Sequence, residues 1–117
     1  MTFSVRNALQ ALALLLLAWG ATSSAGSLQG SASYRERLML PPDAVFEAQL
    51  HEISRADAPP TVLGRVRLDP AGQPPFRFAI GYDKTALRLG GRYAVRATVT
   101  HRGRLLFTTD RIHAVLD

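Results

Sequence analysis

The chain has 117 residues, no cysteine and one tryptophan, with 14 lysines plus arginines against 9 acidic residues for a formal charge of +5. That length supports one small domain, and a cysteine count of 0 excludes disulfides, thiol chemistry and acylation at a cysteine. The basic excess is carried by arginine, with Lys84 the single lysine; it suits acidic proteins or anionic lipid head groups as partners, and equally plain solubility.

The chain opens on a leader pattern. Arg6 supplies a positive start, Ala8 to Trp19 form an apolar run broken by Gln10, and small residues follow from Gly20 to Gly26. A charged start, a short apolar run and a small-x-small site predict a secretory signal peptide, helical in its apolar run. It spans residues 1–25, with cleavage after Ser23-Ser24-Ala25. The alternative is an uncleaved signal that anchors the chain in the inner membrane. A spanning helix needs about 20 predominantly apolar residues, and this run falls short of that, so export to the periplasm is the expectation. Losing Arg6 with the leader leaves 13 of the 14 basic residues against 9 acidic ones, or +4. The compartment argues against nucleic acid as a partner. Residues 26–33, "GSLQGSAS", read as a short flexible lead-in to a domain at 34–117.

Downstream the pattern is all-β. Short runs rich in Val, Leu, Phe, Tyr and Thr alternate with polar residues and stop at Pro, Gly or Asp, as half-buried strands do. The first strand is expected at about Ala32 to Leu40, closed by Pro41-Pro42. The second, "AVFEAQLHEIS", puts Phe46, Ala48 and Leu50 on one face and Glu47, Gln49 and His51 on the other; "RADAPP" ends it, because successive prolines cannot extend a ladder. In "TVLGRVRL" Val62, Val66 and Leu68 are expected inward and Leu63, Arg65 and Arg67 outward. In "PFRFAIGY" the stripe Phe76, Phe78, Ile80 and Tyr82 faces the core. "RYAVRATVT" turns Tyr93, Val95, Ala97 and Val99 inward, and a short strand from about His113 to Leu116 closes the chain. About seven one-sided antiparallel strands make a small β-sandwich or barrel, of which the sandwich is the expectation.

Two hairpins can be registered by matching apolar faces. "THRGRL" fits a three-residue loop, His101-Arg102-Gly103, with Gly103 left-handed; this pairs Val99 with Leu105, Ala97 with Phe107 and Val95 with Thr109. A two-residue loop would turn Leu105 and Phe107 outward. Across "DPAGQPP" the same logic pairs Leu68 with Phe76 and Val66 with Phe78, which sets Arg67 opposite Arg77 with Arg65 on the same outer face. Like charges placed opposite each other are unfavourable, so either an acidic group from another strand compensates or the face meets an anion.

The stretches "YRERLMLPPDAVFEAQLHEISRADAP", "PFRFAIGYD" and "GRYAVRATVTHRGRLLFTTD", in that order, resemble the YbaY/YscW family of small bacterial lipoproteins, which includes pilotin-type chaperones of type III secretion. The likeness runs from about Gly30 to Asp117, and its most specific piece is Tyr34-Arg35-Glu36-Arg37 followed by Leu40-Pro41-Pro42. The resemblance implies a β-sandwich in the periplasm or at the outer membrane, with no known enzymatic activity and no established ligand. Pilotin members bind an outer-membrane secretin subunit. The family pattern also carries a lipobox cysteine; here the corresponding segment reads "WGATSSAGS", so no lipid anchor on cysteine is expected.

Candidate chemistry is thin. His51, His101 and His113 lie in different elements without metal-ligand spacing, the serines have no identifiable His/Asp partner, and Asp69 and Asp83 are typical turn formers. No catalytic residue, metal or cofactor is therefore assigned. Two surfaces are candidates for interaction: Tyr34, Arg35 and Arg37, whose other reading is a charge-protected edge strand, and the face of Arg65, Arg67 and Arg77. The expected function is a non-enzymatic periplasmic binding or chaperone-like module for an envelope protein, with a secretin-type protein among the candidates, using strand addition at an exposed edge. The alternative is a small-molecule or glycan-binding sandwich.

Overall fold

The computed structural model describes residues 2–7 and 24–116. The apolar run, and with it the expected signal-peptide helix, lies outside the described residues. Eight strands are described: β1 (Thr2–Asn7), β2 (Ala25–Ser33), β3 (Val45–Glu52), β4 (Thr61–Leu68), β5 (Phe76–Asp83), β6 (Tyr93–His101), β7 (Arg104–Thr108) and β8 (His113–Val115). A 3-10 turn, Lys84–Ala86, follows β5, with the Asp83 carboxylate accepting from the Thr85 N–H at its start. The strands form two antiparallel sheets. The smaller has the order β1-β2-β5; the larger has the order β4-β3-β6-β7, with β8 also on β6.

Alternation builds the core as expected. Phe46, Ala48 and Leu50 of β3, Phe76, Phe78 and Ile80 of β5, and Tyr93, Val95, Ala97 and Val99 of β6 are all buried. The two sheets meet through aromatic rings: Phe46 of the larger sheet stacks on Phe76 at 4.9 Å and tilts against Phe78 at 5.6 Å. Such pairs add to the burial of large apolar surface.

Five local expectations are corrected. Residues 26–33, read as a lead-in, form most of β2, paired with β5 from Ala25 opposite Asp83 to Ala32 opposite Phe76. The strand looks like a linker because Leu28 and Ala32 face the core while the outward positions are small and polar. The stretch Tyr34 to Leu40, in turn, carries no strand.

At the start of β4 a bulge reverses the expected faces of Val62 and Leu63. Leu50 pairs with Gly64 but His51 pairs with Val62, leaving Leu63 as the extra residue. Leu63 then packs on the core and Val62 is exposed. Just beyond, Gly64 meets β5 so closely that a Cβ there would collide with the Gly81 carbonyl.

β4 and β5 do not form a hairpin. They belong to different sheets, and the Asp69–Pro75 connection carries the chain across the sandwich edge. Leu68 and Val66 still face the Phe76–Phe78 side, but through the core rather than across a ladder. Apolar matching alone cannot tell these arrangements apart.

The β6–β7 hairpin has the two-residue loop. His101 pairs with Arg104, and Arg102 and Gly103 both take positive φ, at 53° and 79°, as a type I′ turn requires. The objection to this loop was that it exposes Leu105 and Phe107. A bulge answers half of it: Thr100 pairs with Leu105 and Val99 with Phe107, so Leu106 is skipped. Phe107 returns to the core side while Leu105 and Leu106 stay exposed.

Candidate interaction surface

The segment from Tyr34 to Pro42 leaves the small sheet, with Tyr34 against Phe107 of β7 and Leu40 bonded to Gln73 of the β4–β5 connection. Both ends are pinned. The Tyr34 ring is buried and stacks almost flat on Phe107, with centroids 4.4 Å apart and planes 4° from parallel. Burial, with Glu36 adding, pushes the Tyr34 phenol above its ordinary value; the hydroxyl keeps its proton and donates to the Leu38 carbonyl at 2.8 Å. At the other end Leu40 is buried, its N–H donating to Gln73 Oε1 at 2.9 Å and its carbonyl accepting from Gln73 Nε2 at 3.1 Å. The side-chain amide thus serves Leu40 as a short piece of strand would.

Between these pins Arg35, Glu36, Arg37, Leu38 and Met39 project into solvent. Leu38 is 49% and Met39 81% exposed, and β7 offers Leu105 at 52% and Leu106 at 37%. The far edge of β7 is unpaired among the described residues. Exposed apolar side chains flanked by arginines on an arm pinned at both ends, and an open sheet edge on the same domain, are two features that suit docking. Arg35 and Arg37, candidates for interaction from the sequence, project from this arm. Tyr34 was named with them, but it acts from beneath, as the post that shapes the arm. Leu38, Met39, Leu105 and Leu106 were missed. The run Leu38-Met39-Leu40 was the available signal, since three consecutive large apolar residues do not suit a one-sided strand.

The other arginines do not share a face. Arg65 and Arg67 alternate with Val66 and Leu68 and point away from the core on the larger sheet; Arg77 alternates with Phe76 and Phe78 on the smaller one. They stand on opposite sides of the sandwich. Arg67 lies opposite Glu47 and pairs with Asp69 at 3.4 Å, so its charge is compensated within the domain. Arg65 faces Gln49, and Arg77 faces Ser31. Two shallow depressions open on these outer faces. One, of about 560 Å³, is lined by Ser4, Gln29, Ser31, Arg77 and Ala79; the other, of about 230 Å³, by Glu47, Gln49, His51, Arg96 and Thr98.

The histidines have structural neighbours. Gln49 Nε2 donates to Glu47 at 3.2 Å, which leaves its carbonyl oxygen 2.8 Å from His51 Nε2. Burial first, and the Arg96 guanidinium second, hold His51 below the ordinary imidazole range. His101 lies 2.7 Å from Asp43, which also accepts from Arg102 at 3.4 Å. Among the described residues no group of three His, Asp or Glu side chains is placed to hold a metal ion, and no helix is long and apolar enough to cross a membrane.

A family model described as type III secretion system lipoprotein chaperone (YscW) matches residues 23–117, from just before β2 through the last strand. The chain belongs to the YscW family. The uncharacterized lipoprotein YbaY of Escherichia coli K12 is 32% identical over 92 residues, covering 78% of this chain and 48% of that protein; the chain thus spans about half the length of that relative. Among solved structures, an alternative pilotin from the type II secretion system of Vibrio cholerae superposes with a TM-score of 0.75 at 36% identity, covering 79% of this chain and 83% of that one. The family model is described as a lipoprotein chaperone, and the relatives named here are a lipoprotein and a secretion-system pilotin, which points to the cell envelope as the setting of the family.

Proposed function

We propose that this YscW-family chain is a pilotin-like periplasmic chaperone that binds a segment of an envelope protein, of secretin type, through the Tyr34–Met39 arm and the open edge of β7. The observation that carries this reading is the arm. The fold uses two buried anchors to hold the intervening residues out in solvent. Arg35 and Arg37 would steer an acidic segment, and Leu38, Met39, Leu105 and Leu106 would take its apolar side chains. Export by the leader and action without a cysteine-linked lipid belong to the same proposal.

The test is crosslinking capture from the envelope with the wild-type protein and a Leu38→Ser/Met39→Ser variant. Both side chains are exposed, so the urea melt should barely move. Wild type should capture one discrete envelope protein, the double variant should lose it, and Arg35→Gln/Arg37→Gln should weaken capture most at low salt. Undiminished capture by the Leu38/Met39 variant would remove the arm from the binding surface.

A further inference from the structure

β1 is the outermost strand of the smaller sheet and lies antiparallel on β2, with Thr2 opposite Ser33 through to Asn7 opposite Leu28. Phe3 is half-buried and inserts between the sheets, its ring 5.5 Å from Phe78 of β5 and 4.8 Å from His113 of β8. Beside it His113 Nε2 is buried with no hydrogen-bond partner. Yet Thr2–Asn7 belongs to the segment read as leader, and processing after Ala25 would remove it. Among the described residues the buried core lies at Leu28 and beyond, so the processed chain keeps that core. What it loses is the cover on one edge: β2 is left with a row of unpaired backbone groups, Phe78 loses a ring neighbour, and a hole opens between the sheets. Long open edges of this kind are normally paired or blocked.

We propose that this edge of β2 is a second docking site, which takes an extended strand of the envelope partner with an aromatic side chain at the position of Phe3. β1 is the chain's own demonstration of what fits: an antiparallel strand that satisfies the ladder and drops one ring between Phe78 and His113. The unpartnered His113 nitrogen offers a further hydrogen bond to a polar group beside that ring. It follows that the unprocessed chain is self-blocked and that leader removal opens the site. The inference rests on the envelope-partner reading and on leader removal, and it concerns a different edge from the arm.

The probe is a labelled peptide of sequence TFSVRN, added to the processed chain beginning at Gly26 and to the full chain. The processed chain should bind it, and a peptide carrying Phe3→Asp should bind about tenfold more weakly. A full chain with Ser4→Cys and Ser31→Cys, which are register partners in a sequence lacking other thiols, should exclude the peptide when oxidised. A full chain with Phe3→Asp should admit it better than wild type does, which tests the site without relying on the processed chain. Failure of the processed chain to bind, indifference to Phe3→Asp, or binding to the oxidised chain would each overturn the strand site. Peptide failure alongside successful arm-dependent capture would leave the arm reading intact and remove only this one.

Discussion

Phe78 illustrates what single residues could disclose. Its place in an alternating stripe predicted an inward ring, and it is buried against Phe46. Truncation to Ala should cost about 3–5 kcal/mol, a large share of the stability of a domain this small. A urea melt showing a loss below about 1 kcal/mol would mean that the ring is not held between the sheets. His51 and His113 carry a pH consequence. Burial is the first cause that lowers both; Arg96 adds to it at His51, while at His113 Asp110 opposes it and Arg111 reinforces it. A folded-state value below the unfolded one means that the unfolded chain binds more protons in between. Stability is therefore fully present above the ordinary value of about 6.5 and falls as the pH drops from there towards the lowered values. Urea midpoints at about pH 7.5 and about pH 5 should differ in that sense, and the difference should shrink in His51→Gln/His113→Gln. A midpoint that rises on acidification would contradict the direction of both shifts.

Most strands were legible as elements because their period of two is written in the side chains: β3 and β5 alternate almost throughout, and β6 does so from Val95 on. The illegible parts are where one residue is skipped. A bulge leaves no mark in composition, yet at Leu63 and Leu106 it reverses which neighbours face the core. β2 was hidden for another reason, since Leu28 is its one large buried side chain. The β6–β7 turn turns this lesson into a measurement. Arg102 and Gly103 both hold positive φ, so the expected loop and the observed one differ in what position 102 demands. Gly103→Val should cost about 1–2 kcal/mol, as both loops would require. Arg102→Asn should be neutral or stabilising by a few tenths of a kcal/mol, because Asn tolerates a left-handed backbone better than Arg does. A clear loss of stability in Arg102→Asn would argue for the three-residue loop after all.

At the scale of the whole molecule, the decisive fact is that β4 and β5 lie in different sheets. Apolar patterning required Val66, Leu68, Phe76 and Phe78 to share one core, and they do; it could not say whether they share it as a ladder or from two sheets. The two answers put Arg67 and Arg77 either in direct contact or on opposite sides of the sandwich, and this difference is measurable. In the observed topology Arg67→Gln gives up Asp69 and the facing Glu47. An exposed ion pair of this kind contributes about 0–1 kcal/mol, so the loss should be small. Arg77→Gln should be close to neutral, since its cross-strand neighbour is Ser31. Because the two sites share no partner, the double variant should equal the sum of the singles to within about 0.5 kcal/mol. A hairpin would behave otherwise: removing either charge would relieve repulsion, the second substitution would gain nothing further, and the cycle would show a coupling energy that shrinks with added salt. A four-member urea-melt cycle at two salt concentrations separates the cases. Additivity at both salts supports two faces, and a salt-sensitive coupling would return both arginines to one.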